Sequence, residues 1–426
     1  MLLGTGFCFA QVKQSNLTGP WVLIVDQGPE HIFTSRVQLA ASGHAVSGAA
    51  GSFGVRGSVY GADVKIELLK PNNTVALSLS GEAEGDVLRG AAKDSDGLAY
   101  TWIAERQPSQ TSTPRRLDFT PKTFSRYFSG SAAPVLRIRP GDTVRTSTVD
   151  SGGFDAFGKH VSHGANPLTG PFYVEGALPG DTLVVKLTRI SMNRDWARSG
   201  TEIVSNAVAP EYTAGLHRNR QITGRWHLDL ANDTASIEGA SPAAQNLKIP
   251  LQPMIGGIGV APPKQEVANT RASGSFGGNM DYSRLRQGST VYLPVYQPGA
   301  LLLIGDAHAA EGDGELAGDA LETSMDVEFT VDIIKDFPLN MPYAEDGDSW
   351  MAIGIGGSLE DAMRKSTTAM ATYLEKEHGL NPNETAMLLG AAMKYDIADV
   401  VGDQVSIVAR IPLTVIAQLP TRKDHF

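Results

Sequence analysis

Short apolar segments alternating with polar residues fill the first quarter of the chain. Trp21 to Val25, Val37 to Leu39, His44 to Gly48, Arg56 to Val59, Val64 to Leu68, Val75 to Leu79, Asp86 to Gly90 and Ala99 to Ile103 follow one another closely, parted by Gly, Asn and Asp. Period-two patterning at this cadence predicts hairpin-linked strands forming a small antiparallel barrel or sandwich over 19–106. The grouped glycines, Gly48 to Gly54, Gly57 to Gly61 and Gly81 to Gly85, fit its turns. Trp21 and Trp102, at the opening and the close, read as packing residues of the barrel rather than a sugar platform. The polar, proline-bounded stretch 107–116 has no periodicity and reads as a linker.

A second β-rich pattern covers 117–338. Val135 to Arg139 leads through a Pro-Gly-Asp turn, 140–142, into Thr143 to Val149; a second such turn, 179–181, precedes Thr182 to Ile190. The repeat is a faint hint of duplication. Leu321 to Val331 reads as one alternating strand, with Leu321, Met325, Val327, Phe329 and Val331 on one face and Glu322, Asp326 and Glu328 opposite. The pattern changes over 339–426. Ser358 to Asp361 reads as a capping box opening a helix to about Lys376, closed by Gly379. Asn381, Pro382 and Glu384 cap a second helix, and 404–419 reads as strands. The expected fold is mainly β: a β-sandwich-like domain with an α+β C-terminal portion and a small N-terminal barrel.

Composition narrows the class of protein. A chain of 426 residues exceeds one ordinary core, and 42% hydrophobic with 19% charged residues describes a globular protein. A formal charge of −10 argues against nucleic acid or an anionic membrane as partner. No apolar run beyond the first residues is long enough to span a bilayer. Residues 1–10 read as the tail of a secretory signal peptide, with Cys8, Phe9 and Ala10 as an imperfect cleavage site before Gln11. The expectation is a periplasmic or secreted protein whose mature chain carries no cysteine.

The densest chemistry lies in Gly305-Asp306-Ala307-His308-Ala309-Ala310-Glu311-Gly312-Asp313-Gly314-Glu315, directly after an apolar run. Charged groups among glycines and alanines suit a site that a small polar molecule must approach closely. Asp306 and His308 fall on one side if the strand reaches that far, and such a pair can share a divalent ion or a proton. Asp150, ending its strand in a Gly-rich turn, is the expected third ligand, although it also reads as a turn former binding its own backbone. Glu322 is the alternative ligand, or plain solvated surface. Glu315 reads as an acid–base residue, with a structural pairing to Arg284 or Arg286 as the alternative. No nucleophile-elbow motif of the G-x-S-x-G kind occurs.

Several motifs in order carry a resemblance. Asn166-Pro-x-Thr-Gly-Pro-Phe-Tyr-Val-Glu175-Gly-Ala-x-Pro-Gly-Asp181, Ile258 to Pro262, Gly277-Gly278-Asn279-Met280-Asp281, Tyr292 to Val295 and Gly305 to Glu315 resemble the acetamidase/formamidase family of amide hydrolases over roughly 117–420. The N-terminal barrel lies outside the resemblance. It implies hydrolysis of a small linear amide to acid and ammonia, a mostly β fold, a homo-oligomer (dimer or higher), and for some members a metal. Carried over by motif, Asp306, His308, Glu315 and Asn279 are site candidates. One departure stands out: where many members have His before Gly-Gly-Asn, this chain has Phe276, and His160 or His163 would have to substitute.

Amide hydrolysis needs an activated water, a positive group near the developing oxyanion and an acid for the departing nitrogen. On this reading Asp150, Asp306 and His308 hold a divalent ion, zinc being the expected one, with an open position for water. Glu315, with Asp313 beside it, moves the proton, and Asn279 assists catalysis. Gly277, Gly278 and Glu175 bind substrate. The competing readings are a hydrolase of cyclic amides and a non-catalytic secreted protein holding a small ligand or metal.

Overall fold

The computed structural model describes residues 15–28, 32–107, 113–214 and 223–420. The expected leader with Cys8 and half of the linker (108–112) lie outside the described residues. The chain divides into two compact units, Met1–Ser112 and Thr113–Phe426.

The first unit is a closed antiparallel barrel. Its strands run Gly19–Asp26, Ile32–Ser42, Ala45–Ala50, Phe53–Tyr60, Asp63–Leu69, Val75–Glu84, Val87–Asp94 and Ala99–Arg106, each paired with the next, and the last closes on the first with Trp21 opposite Arg106. Alternation puts Trp21, Leu23, Val25, Leu39, Leu68, Leu88 and Trp102 inside. Both indoles find acceptors, Trp21 Nε1 donating to Leu17 O (2.8 Å) and Trp102 Nε1 to Ser80 O (3.1 Å). The void between Trp21, Leu68 and Trp102 is about 10 Å³, too small for a ligand. The glycines divide into two jobs, which corrects the assignment of all of them to turns. Gly85 (φ 63°) makes a turn, but Gly81 and Gly90 face each other within strands. A Cβ on either would lie 2.0 Å from the facing backbone oxygen, so the close strand approach there requires glycine.

The second unit is built on two sheets. The first runs, among described residues, from Ile249–Pro250 through Thr234–Ile237, Arg225–Asp229, Trp196–Arg198, Glu322–Thr323, Leu302–His308 and Met254–Gly259 to Gly277–Asn279 and Ser273–Gly274. The second is ordered Lys394–Asp399, Val405–Pro412, Ser349–Gly356, Tyr343–Glu345, Thr290–Pro294, Thr182–Met192, Met325–Ile334, Thr143–Ser147 and Arg116–Asp118. Leu183, Val185, Phe329 and Val331 of the second sheet join Ile255, Ile258, Leu302 and Ile304 of the first in one buried core. The fold is mainly β and sandwich-like, as the pattern implied.

The expected single strand from Leu321 to Val331 is two. Glu322–Thr323 pairs with the Leu302–His308 strand in one sheet, and Met325–Ile334 begins at once in the other. Alternation holds only after the crossing; from Leu321 to Met325 every side chain is buried, Glu322 included.

Helix Leu359–His378 starts at Ser358, whose hydroxyl accepts from Asp361 N (3.2 Å), and stops at Gly379 (φ 72°). Its box is half formed: Asp361 is a methylene too short for the reciprocal bond, and its carboxylate accepts from Gly357 N instead. Asn381 and Glu384 complete the full box on helix Pro382–Ala392. The longer helix lays Ala369, Met370 and Leu374 on Trp350, Ala352, Ala409 and Ile411. The region 404–419 was expected to be all strand, but the strand ends at Pro412 and a short helix, Leu413–Ile416, follows.

Candidate metal centre and its cleft

The Leu302–His308 strand is buried at every residue and reaches far enough to carry both Asp306 and His308. They face the same side, His308 Nε2 lying 3.6 Å from Asp306 Oδ1. Neighbouring strands supply the rest. Glu322, directly opposite His308 in register, places Oε1 3.0 Å from Nε2, and Glu311 Oε2 lies 2.7 Å from Nδ1. Asp281 follows the Gly277–Asn279 strand. The loop after Glu311 is clasped to the C-terminal strand, Gly314 N donating to Ala398 O (3.1 Å) and Val400 N to Gly314 O (3.3 Å), which sets Asp399 beside Glu315. Three overlapping sets result, Asp306–His308–Glu322, Asp281–His308–Glu311 and Asp281–Glu315–Asp399, each with donor atoms within 4.8 Å of one another.

Two features of the backbone make room for this crowd. Gly256 lies under the cluster, and a Cβ there would stand 2.1 Å from Asp281 Oδ1 and 3.1 Å from His308 Cε1. Asn166, Asp281, Asp306 and Glu315 all adopt left-handed conformations (φ 51°, 37°, 52° and 49°), each costing on the order of 1–3 kcal/mol that surrounding structure must offset. Amide side chains brace the carboxylates. Asn166 Nδ2 donates to Asp306 Oδ2 (2.7 Å) and Asn279 Oδ1 (2.9 Å), and Asn279 Nδ2 donates to Asp281 Oδ2.

The sets together hold six carboxyl groups and one imidazole. Burial and the charges of Glu315 and Asp306 push the Asp281 carboxyl well up. Burial, with the neighbouring carboxylates, lifts Glu315 to about 9; burial also lifts Glu322 to about 7 and Asp399 to about 6. Burial works against a charged ring on His308, but Glu322, Asp306 and Glu311 outweigh it and hold its pKa well above the usual value. Such a set is short of positive charge. Asp281 Oδ1, Asp306 Oδ1, Glu311 Oε1 and Glu322 Oε2 are buried without a hydrogen-bond partner, and His308 Nε2 faces Glu322 Oε1 closely but off hydrogen-bond alignment. Unpaired oxygens and one ring nitrogen converging in this way fit a divalent cation, which would lower the neighbouring carboxyls and return Glu315 to its base form.

A cleft of about 770 Å³ opens onto the centre. Asn279, Glu315 and Glu322 lie in its lining, with Arg126 and Arg271 elsewhere on its wall.

Other expected site residues lie elsewhere. Asp150 is not a ligand in this arrangement: its Oδ2 meets Arg194 Nη2 at 2.6 Å, both side chains are buried, and Oδ1 accepts from Phe154 N. Arg194, which sequence reasoning missed, also donates to Thr323 Oγ1 (3.0 Å) and Glu322 O (3.3 Å), so the pair braces the strand that presents Glu322. Glu175 is bound to Arg139 (3.1 Å) and takes no part in the cleft. Asp313 is exposed on the clasped loop and outside all three sets. Gly277 and Gly278 lie mid-sheet, paired with Gly259 and Ile258; a Cβ on Gly278 would sit 2.2 Å from Ala272 O, so their role is strand packing. Asn279 N donates to Ala272 O, and its side-chain amide spends one Nδ2 hydrogen on Asp281, leaving the second for a ligand. Phe276 packs on Phe128 in the core (5.2 Å), and His160 and His163 are exposed and 6.3 Å apart, so His308 is the one imidazole of the described centre. Asp281, Glu311 and Asp399 were not singled out as ligands; the signal for Asp281 was its place at the end of the Gly277-Gly278-Asn279 motif.

Fold and site together define a two-sheet β protein with an acid-rich candidate metal centre at the foot of an open cleft. Residues 264–418 match the Acetamidase/Formamidase family. Over that stretch, which lies in the second unit, the chain is similar to this family. It is 26% identical to a formamidase of Methylophilus methylotrophus, the match covering 47% of this chain and 62% of that protein. With an acetamidase of Mycolicibacterium smegmatis it shares 27% identity over 51% of this chain and 68% of the relative. The chain thus spans about two thirds or less of the curated relatives it matches. Two crystal structures are similar: a predicted acetamidase/formamidase from Thermoanaerobacter tengcongensis (26% identity, TM-score 0.61, 72% of this chain and 99% of that one) and an acetamidase from Bacillus halodurans (27%, 0.60, 71% and 100%).

Proposed function

We propose that the second unit hydrolyses the C–N bond of a small linear amide of the formamide or acetamide type, yielding a carboxylic acid and ammonia. The observation that carries this reading is the meeting of Glu315, Asn279 and Glu322 in one cleft with an imidazole and unpaired carboxylate oxygens beneath them. Asp306, His308 and Glu322 would hold a divalent ion, and an imidazole-and-carboxylate set suits zinc. When bound, such an ion polarises a carbonyl and makes water more acidic. Glu315, in its base form once such an ion is held, would take a proton from the attacking water and pass it to the departing nitrogen. Asn279, braced by Asn166 and Asp281, offers an amide N–H for the carbonyl oxygen.

Ammonia release from formamide, acetamide, propionamide and lactams, alongside divalent-metal analysis of the purified protein, tests the reading. Glu315→Gln keeps the acceptor that Ala320 N uses (2.8 Å), so melting temperature should hold while turnover falls at least about a hundredfold. Metal-loaded protein that releases ammonia from none of these amides sinks the proposal.

A further inference from the structure

The cleft is far larger than its proposed chemistry requires. A three-heavy-atom amide occupies on the order of 90 Å³, about three water volumes, against a cleft of about 770 Å³. The remaining space is asymmetric in charge. Its foot is crowded with carboxyl groups, whereas Arg126 and Arg271 line the wall at one end of a two-stranded ribbon. That ribbon pairs Tyr127–Ser129 with Val267–Asn269, and Thr270 N donates to Arg126 O (3.0 Å) directly beyond it, so both arginines leave the same end. Their backbone is anchored: Thr270 Oγ1 donates to Ala165 O (3.0 Å) and Arg271 N to Asn269 Oδ1 (3.0 Å). Their guanidinium groups are exposed, and neither makes an ion pair with a described residue within 4.0 Å. Asp319, also in the lining, feels the charge of Arg271 without closing an ion pair. Two guanidiniums without a described ion-pair partner thus stand in a cleft that otherwise collects negative charge, a ready fork for a carboxylate.

Resting on the amidase reading, we infer that the preferred substrate is an amide carrying a carboxylate at its far end, held by Arg126 and Arg271 while the amide reaches the foot of the cleft. Only that orientation keeps the anion away from the buried carboxyl groups. Water adds to the carbonyl carbon, the C–N bond breaks, and the nitrogen leaves with the transferred protons. The carboxylate sits either on the acyl chain, with ammonia leaving, or on the amine side, with an amino acid leaving.

The test uses the full chain. Ammonia release is followed for acetamide, butyramide and the monoamide of succinic acid, and amino-acid release for an N-formyl amino acid. A carboxylated substrate should exceed butyramide in kcat/KM by at least about tenfold, chiefly through KM, as one charge-assisted pair would provide. That ratio should fall several-fold in R271A and in R126A, recover in part in R271K, and shrink as salt is raised. Preference for the monoamide places the anion on the acyl side, and preference for the formyl compound places it on the amine side. Butyramide cleaved as well as both carboxylated compounds, or a preference that survives removal of both arginines, overturns the inference while leaving the amidase reading intact. Failure to cleave any amide overturns both.

Discussion

Replacing Gly256 by alanine tests the centre with one carbon atom. Gly256 has no left-handed φ, so alanine meets no backbone penalty there. The added Cβ would stand 2.1 Å from Asp281 Oδ1, and ordinary contact begins at 3.4 Å, so that oxygen must retreat by about 1.3 Å. It has little freedom to do so. Asp281 is buried in a left-handed conformation, with Oδ2 tied to Asn279 and its backbone N–H against Gly256 O. A displacement of that size at a reacting centre costs about a hundredfold in rate, and overpacking of this kind costs about 1–3 kcal/mol of stability. Gly257→Ala serves as the graded control, because its Cβ would meet Leu168 Cδ2 at 2.9 Å and Asp306 Cβ at 3.0 Å, demanding only about 0.5 Å. Ammonia release, calorimetric titration with a divalent ion and thermal melting should therefore rank the proteins wild type, G257A, G256A. A G256A protein that keeps wild-type turnover and ion affinity would refute the claim that Asp281 belongs to the working centre.

Two further outcomes follow from the geometry. Asp150→Ala strips the partner from buried Arg194 and should cost about 3–5 kcal/mol of unfolding free energy; a ligand role would instead show as lost ion affinity at unchanged stability in Asp150→Asn. In metal-stripped protein, Glu322 (about 7) and Asp399 (about 6) bind protons more tightly when folded than when unfolded, so their contribution is full below about pH 4 and is lost as pH rises through the folded values. Urea midpoints should fall between about pH 4 and 8 by an amount equivalent to roughly 3 kcal/mol for each group, and a bound divalent ion should remove the slope. A flat or rising profile in the stripped protein would contradict it.

Much of this architecture could be read locally. Alternation in 19–106 marked all the barrel strands because each buries one face and turns within a few residues. Ser358, Gly379 and Asn381 marked helix ends because capping involves neighbours in the chain. Asp306 and His308 lie on one side of a strand by the period of two alone. Strand neighbours are a different matter. Nothing within a few residues of Asp150 announced Arg194, 44 positions away, which turns an apparent ligand into a structural ion pair. Glu322 looked solvated because the alternation around it seemed continuous, whereas the chain crosses between sheets at 323–325 and turns that carboxylate inward. Asp281 and Asp399 join His308 and Glu315 only through sheet order and a clasped loop. Periodicity reports which face of an element is buried; which charged groups meet there depends on the register between strands far apart in sequence, and only the folded sandwich sets that.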